Sequence, residues 1–170
     1  QKAILGVTTD TGDEYIYLVS EGIEEVNHQV DLLRDSRTNP VFIRAVNSAG
    51  VLGATLGLNT YTIRATAGTW TSITGVLGMS AGSDGWDYND DYRLYDVVLD
   101  ANNVAAYGFY HISNQAKNVG AFYNCRFTNA TDSGIYMGGY NACNLYNCEA
   151  DNNTNYGFRP PGSNRGNSNW

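Results

Sequence analysis

Three stretches decide the fold: Leu94-Tyr95-Asp96-Val97-Val98-Leu99-Asp100, Phe122-Tyr123-Asn124-Cys125-Arg126-Phe127-Thr128 and Leu145-Tyr146-Asn147-Cys148-Glu149-Ala150-Asp151. Set under one another, they repeat an apolar residue, a tyrosine, an Asp or Asn and a second short run, at a period of about 23 residues. Each leads through a polar turn to a further strand-like piece: Tyr107-Gly108-Phe109-Tyr110, Ser133-Gly134-Ile135-Tyr136 and Tyr156-Gly157-Phe158. Strands this short cannot bury an inward face alone. Winding one chain so that successive turns lie about 4.8 Å apart pairs each strand with its copy in the next turn. The expected fold is all-β, a right-handed parallel β-helix (a solenoid) of about five to six coils.

In such a coil like residues fall on like. Tyr95, Tyr123 and Tyr146 are expected in one column, and Asp96, Asn124 and Asn147 in a polar turn ladder. Cys125 is expected over Cys148 on the inside and Arg126 beside Glu149 on the outside.

Working towards the N-terminus, Val41-Phe42-Ile43-Arg44-Ala45 and Tyr61-Thr62-Ile63-Arg64-Ala65 read as a fainter pair of copies. If Val41 and Ile43 point inward, alternation sends Arg44 outward, and the repeat places Arg64 beside it on the next turn. Residues 1–35 read as an N-terminal capping segment and 36–170 as the parallel β-helix, with a loop insertion near 79–92. Apolar residues do not recur at helical spacing over any long stretch. The one candidate, Ile23 to Leu33, is interrupted by Asn27-His28-Gln29.

Composition agrees. The 170 residues hold 20 Asn, 19 Gly and 13 Tyr, a balance suited to short strands joined by tight turns. A formal net charge of −7 gives no electrostatic footprint for nucleic acid or an anionic bilayer. No run has the length and apolarity of a membrane span. A chain starting at Gln1 reads as a processed or excised piece. The polar, Gly- and Asn-rich stretch from Pro160 to Trp170 carries no evident cap, so self-association or a continuation of the chain is expected at the coil ends.

The run Glu21-Gly22-Ile23-Glu24-Glu25-Val26, followed by Val41-Phe42-Ile43-Arg44-Ala45, resembles the opening coil of right-handed parallel β-helix proteins of the pectate-lyase-like superfamily. The Gly-aromatic strands and Asn-Cys turns of residues 94–158 resemble its later coils. The resemblance spans Glu21 to Phe158 and is carried by repeats, not by a catalytic signature. What it implies is the fold; the superfamily holds pectate lyases, polygalacturonases, other polysaccharide lyases, phage tailspikes and surface proteins.

Ser83-Asp84-Gly85-Trp86-Asp87-Tyr88-Asn89-Asp90-Asp91 gathers carboxylates and aromatics on flexible glycine. Trp86 and Tyr88 are suited to stacking on a pyranose ring, with Asp84, Asp90 and Asp91 as polar contacts. Asp84, Asp87 and Asp90 are candidate Ca²⁺ ligands, although the strict twelve-residue calcium-loop spacing is missing. No other cofactor is indicated. Asp87 also fits a carboxylate acid or base, but the His and Arg-x-Lys motifs that accompany such acids in polygalacturonases are missing. Arg44 and Arg64 would meet an anion such as a polyuronate carboxylate, and lyases of the superfamily use Arg or Lys to abstract the proton α to a carboxylate; the plainer expectation is that Asp or Glu of a neighbouring turn pairs with them. His28 and His111 lack a catalytic partner in the sequence. Cys143 and Cys148 are close enough in sequence to pair, and free thiols are the expectation. Asn129-Ala130-Thr131 and Asn152-Asn153-Thr154 match the glycosylation sequon, a pattern common in Asn-rich turns.

Two function classes follow. One is a non-catalytic extracellular, cell-surface or virion-associated module that presents a β-face to glycans or to copies of itself. The other is a polysaccharide lyase or glycoside hydrolase acting on an acidic polysaccharide, with Arg44, Arg64 or Asp87 as its chemistry.

Overall fold

The computed structural model describes residues 14–19, 23–32, 41–46, 61–79 and 92–159. Thirteen strands carry this part of the chain, and no helix occurs among the described residues, hence none long and apolar enough to cross a membrane. They are β1 (Glu14–Val19), β2 (Ile23–Val26), β3 (Val30–Asp31), β4 (Val41–Val46), β5 (Tyr61–Ala65), β6 (Gly75–Met79) and β7 (Tyr92–Tyr95). There follow β8 (Val97–Asp100), β9 (Tyr107–Tyr123), β10 (Arg126–Thr128), β11 (Ser133–Tyr146), β12 (Glu149–Asp151) and β13 (Tyr156–Arg159).

Every pairing between these strands is parallel, and together they form three rows. The first row runs β1, β4, β7, the end of β9 and the end of β11. The second runs β2, β5, β8, β10 and β12. The third runs β3, β6, the start of β9, the start of β11 and β13. Because β9 and β11 pass through the corner from the third row into the first, those two rows join as one sheet. This all-β, all-parallel pattern is consistent with a parallel β-solenoid. Residues 14–31, within the segment read as a cap, contribute β1, β2 and β3, which pair with β4, β5 and β6.

Alternation supplies the core. Ile43, Leu94 and Phe122 face inward from the first row, Ile63, Leu99 and Phe127 from the second, Leu77, Phe109 and Ile135 from the third. Phe122 meets Phe109 and Phe127 edge-on, at ring-centroid separations of 4.9 and 5.3 Å, so the three rows touch through one aromatic knot. Edge-to-face pairs of this kind add about 0.5–1.5 kcal/mol each beyond area burial.

The corners explain the asparagines. Between the first and second rows, Asp96, Asn124 and Asn147 adopt φ of 60°, 52° and 50°. After the second row, Asn102, Asn103, Asn129 and Asn152 do the same at 50°, 57°, 57° and 54°. Left-handed backbone is costly for most L-residues, and Asn and Asp are the non-glycine types that tolerate it. Gly120, at φ 103°, has no such substitute: a Cβ there would lie 1.8 Å from the Tyr92 carbonyl oxygen.

The turn is less regular than the repeat suggests. Asn124 lies 28 residues beyond Asp96, and Asn147 lies 23 beyond Asn124. The longer turn holds its excess in the Asn102–Ala105 corner and in β9, where β11 pairs with register shifts at Gly139/Asn141 and Ala142/Cys143. Bulges take up extra residues without breaking the inward pattern on either side.

Candidate functional site

The outer face of the first row carries a ladder of rings. Register places Arg44 beside Tyr95, Tyr95 beside Tyr123 and Tyr123 beside Tyr146. Tyr95 and Tyr123 stack with centroids 4.5 Å apart and planes 3° from parallel; Tyr123 and Tyr146 stack at 4.6 Å and 6°. At the other end the Arg44 guanidinium lies 4.2 Å from the Tyr95 centroid and 5.6 Å from that of Phe42, and Arg93 lies 5.2 Å from Phe42. Among the described side chains, a cation therefore flanks the ladder at Tyr95, and its last ring is Tyr146, which is 49% exposed. Stacking covers both faces of the Tyr123 ring. The column foreseen from the repeat is present.

Beside it runs the amide ladder, also as expected. Asn124 Nδ2 donates to Asp96 Oδ1 at 3.1 Å, and Asn147 Nδ2 donates to Asn124 Oδ1 at 2.8 Å. Among the described residues Asp96 is the last member of the ladder, an acceptor. Its burial pushes its carboxyl above the ordinary value, outweighing the Asn124 hydrogen bond and the Arg44 charge.

The outer face of the second row is ionic. Arg64 Nε donates to Asp100 Oδ2 at 2.7 Å, and Asp100 Oδ1 accepts from Asn129 Nδ2 and the Asn102 N–H, each at 2.9 Å. Burial opposes ionisation of Asp100, but the hydrogen bonds from Asn129 and Arg64 prevail and hold it below the ordinary carboxylate value. Arg126 grips Asp151 with Nε at 2.9 Å and with its terminal nitrogen. Its contact with Glu149 is longer, 3.7 Å, although the register is the one expected. The fork geometry of Arg decides for Asp151, the next outward position along the same strand.

A third cluster was legible in the repeat but was not singled out there. The outer position of the third row aligns Tyr110, Tyr136 and Arg159. Tyr110 and Tyr136 stack at 5.4 Å, Tyr107 packs against both, and Arg159 lies 5.0 Å from the Tyr136 centroid. Asp132 anchors the cluster, accepting from Tyr107 at 3.2 Å, Arg159 at 3.1 Å and Asn155 at 3.2 Å. Burial, with the Asp132 carboxylate alongside, pushes the Tyr107 hydroxyl up to about 12. The recurring Gly-aromatic pieces, extended by one residue to Arg159, point to this column.

The expectation for Arg44 and Arg64 needs correction. They do not neighbour one another, because β4 joins β1 and β7 in the first row while β5 joins β2 and β8 in the second. The two similar pentapeptides are strands of different rows, and each arginine has its own surroundings: aromatic for Arg44, a carboxylate for Arg64. Asp84, Trp86, Asp87, Tyr88, Asp90 and Asp91 lie outside the described residues. Among the described residues no group of three His, Cys, Asp or Glu side chains is placed to hold a metal ion. His28 is exposed, beside Asn27, and His111 is buried. All three cysteines are free thiols. Comparison with protein-family models, with curated proteins and with solved structures finds no match for this chain.

Proposed function

We propose that the chain is a non-catalytic structural module of an extracellular surface or a virion, wound as a right-handed parallel β-helix of five turns on the pectate-lyase-like plan, and that its first-row face binds a neutral glycan. Among the described residues each of the three rows holds five strands, which supports five turns. Parallel crossovers are right-handed in nearly all sheets, which supports the hand. The carrying observation is the Arg44–Tyr95–Tyr123–Tyr146 ladder. A rigid surface with a regular repeat suits a polymer that repeats as well, and the open ring of Tyr146 offers the stacking face that an uncharged sugar ring prefers. The ion pairs Arg64–Asp100, Arg126–Asp151 and Arg159–Asp132 on the second and third rows support a structural role for those charges. The formal net charge of −7 disfavours a polyuronate.

The test is retention on an array of neutral and acidic glycans. Tyr146→Ala should weaken retention about tenfold, the equivalent of about 1.4 kcal/mol, while Tyr146→Trp keeps it. Trp86→Ala tests whether the 79–92 loop shares the contact. Retention untouched by Tyr146→Ala removes the ladder as the binding face. Incubation with polyuronates, read by absorbance of unsaturated products and by reducing ends, should give no signal; turnover there would replace this reading with a lyase or hydrolase.

A further inference from the structure

The corner that carries the amide ladder also carries thiols. Cys125 and Cys148 each follow a left-handed Asn, at Asn124 and Asn147, and hold equivalent places on successive turns. Backbone hydrogen bonds bracket them: Asn124 N–H to the Tyr146 carbonyl and Glu149 N–H to the Cys125 carbonyl, both 2.9 Å. The Cys148 sulfur lies 3.4 Å from the Phe122 carbonyl oxygen, on the turn that bears Cys125. The Cys125 sulfur lies 3.4 Å from the Tyr123 carbonyl oxygen of that same turn. Chains paired this way run about 4.8 Å apart, within the Cα separation of about 4.4–6.8 Å that a disulfide spans.

We infer that Cys125 and Cys148 form a disulfide that staples two successive turns when a small-molecule disulfide oxidant is present. Cys148 is half-buried and reachable, whereas Cys125 is fully buried, so the order of events follows. A hydrogen bond from the Cys125 thiol holds Cys148 below its ordinary value, and burial pushes Cys125 up. Cys148, as thiolate, attacks one sulfur of the oxidant; that S–S bond breaks and the first thiol leaves with the proton Cys148 gave up. Cys125 then loses its proton and attacks the Cys148 sulfur, releasing the second thiol. Two protein thiols are oxidised by two electrons and one oxidant disulfide is reduced to two thiols. Cys143 stays outside the exchange because burial, with Cys148 nearby, pushes its thiol up and keeps it protonated on β11.

The experiment treats the folded chain with oxidised glutathione and counts thiols after denaturation. Titratable thiols should fall from three to one, a non-reducing peptide map should join Cys125 to Cys148, and the thermal midpoint should rise by on the order of 5 °C. Cys143→Ser should close the same link. Cys125→Ser should leave Cys148 as a lasting mixed disulfide with glutathione, which identifies it as the attacking thiol. A count that stays at three, a link through Cys143, or a lasting mixed disulfide on Cys148 in the unaltered chain overturns the inference.

Discussion

The outer faces of the first and second rows solve the same problem with different chemistry. Both must stack side chains at the spacing of parallel strands. The first row does so with rings, Tyr95 on Tyr123 on Tyr146, and the second with opposite charges, Arg64 on Asp100 and Arg126 on Asp151. Identical aromatics attract when stacked, so the first row can repeat one residue type. Identical charges repel, so the second row must alternate and repeats nothing visible. Sequence repetition is thus clearest where stacking is self-complementary.

The comparison can be broken at its strongest point first. Tyr123→Ala removes the ring that stacks on both sides and should lower the unfolding free energy by about 2–3 kcal/mol in denaturant titration, against about 1 kcal/mol for the end ring in Tyr146→Ala. A smaller effect for Tyr123 than for Tyr146 would mean that the ladder is not a cooperative column. In the second row, Asp100→Ala strands Arg64 and Asn129 and should cost about 2 kcal/mol.

Acid separates the rows further. Asp100, Asp132 and Asp151 are all held below their ordinary values; Arg126 is the chief cause at Asp151, and at Asp132 hydrogen bonds from Ser133 and Asn155 with the Arg159 charge overcome burial. A lowered carboxyl contributes stability that is complete above its unfolded value and is lost as pH falls through the folded one. Unfolding midpoints measured from neutral to acid pH should therefore fall, and Asp100→Ala should flatten that fall, while Tyr123→Ala leaves its slope unchanged. Asp96 has the opposite sign. Its raised carboxyl contributes below the unfolded value and the contribution is lost as pH rises through the folded one. Asp96→Asn, which matches Asn124 and Asn147 and tolerates their backbone, should stabilise the chain at neutral pH by under about 1 kcal/mol. The smallest change is Arg126→Lys, about 0.5 kcal/mol, because that pair is partly exposed and only the second hydrogen bond is lost.

The contrast between rows also explains which parts could be read in advance. The tyrosine column, the Asp96–Asn124–Asn147 ladder and the placing of Arg126 beside Glu149 all follow from aligning three heptapeptides. Arg44 and Arg64 did not follow. Tyr61 follows Val41 by 20 residues, close to the 23 that separate Asn124 from Asn147, so spacing alone cannot show whether the two similar pentapeptides share a row. Asp151 as the main partner of Arg126 was missed for a different reason: pairwise register names the neighbour opposite, whereas a long guanidinium side chain reaches the diagonal one.

By itself the sequence determined the parallel stacking, the faces of the later strands and the corner chemistry, because alternation, left-handed asparagine and ring stacking act between neighbouring turns. Only the tertiary structure decided which strands of the first half share a row, and so which groups surround each arginine. Those choices depend on how far each connection carries the chain around the core, a distance that local pattern does not encode.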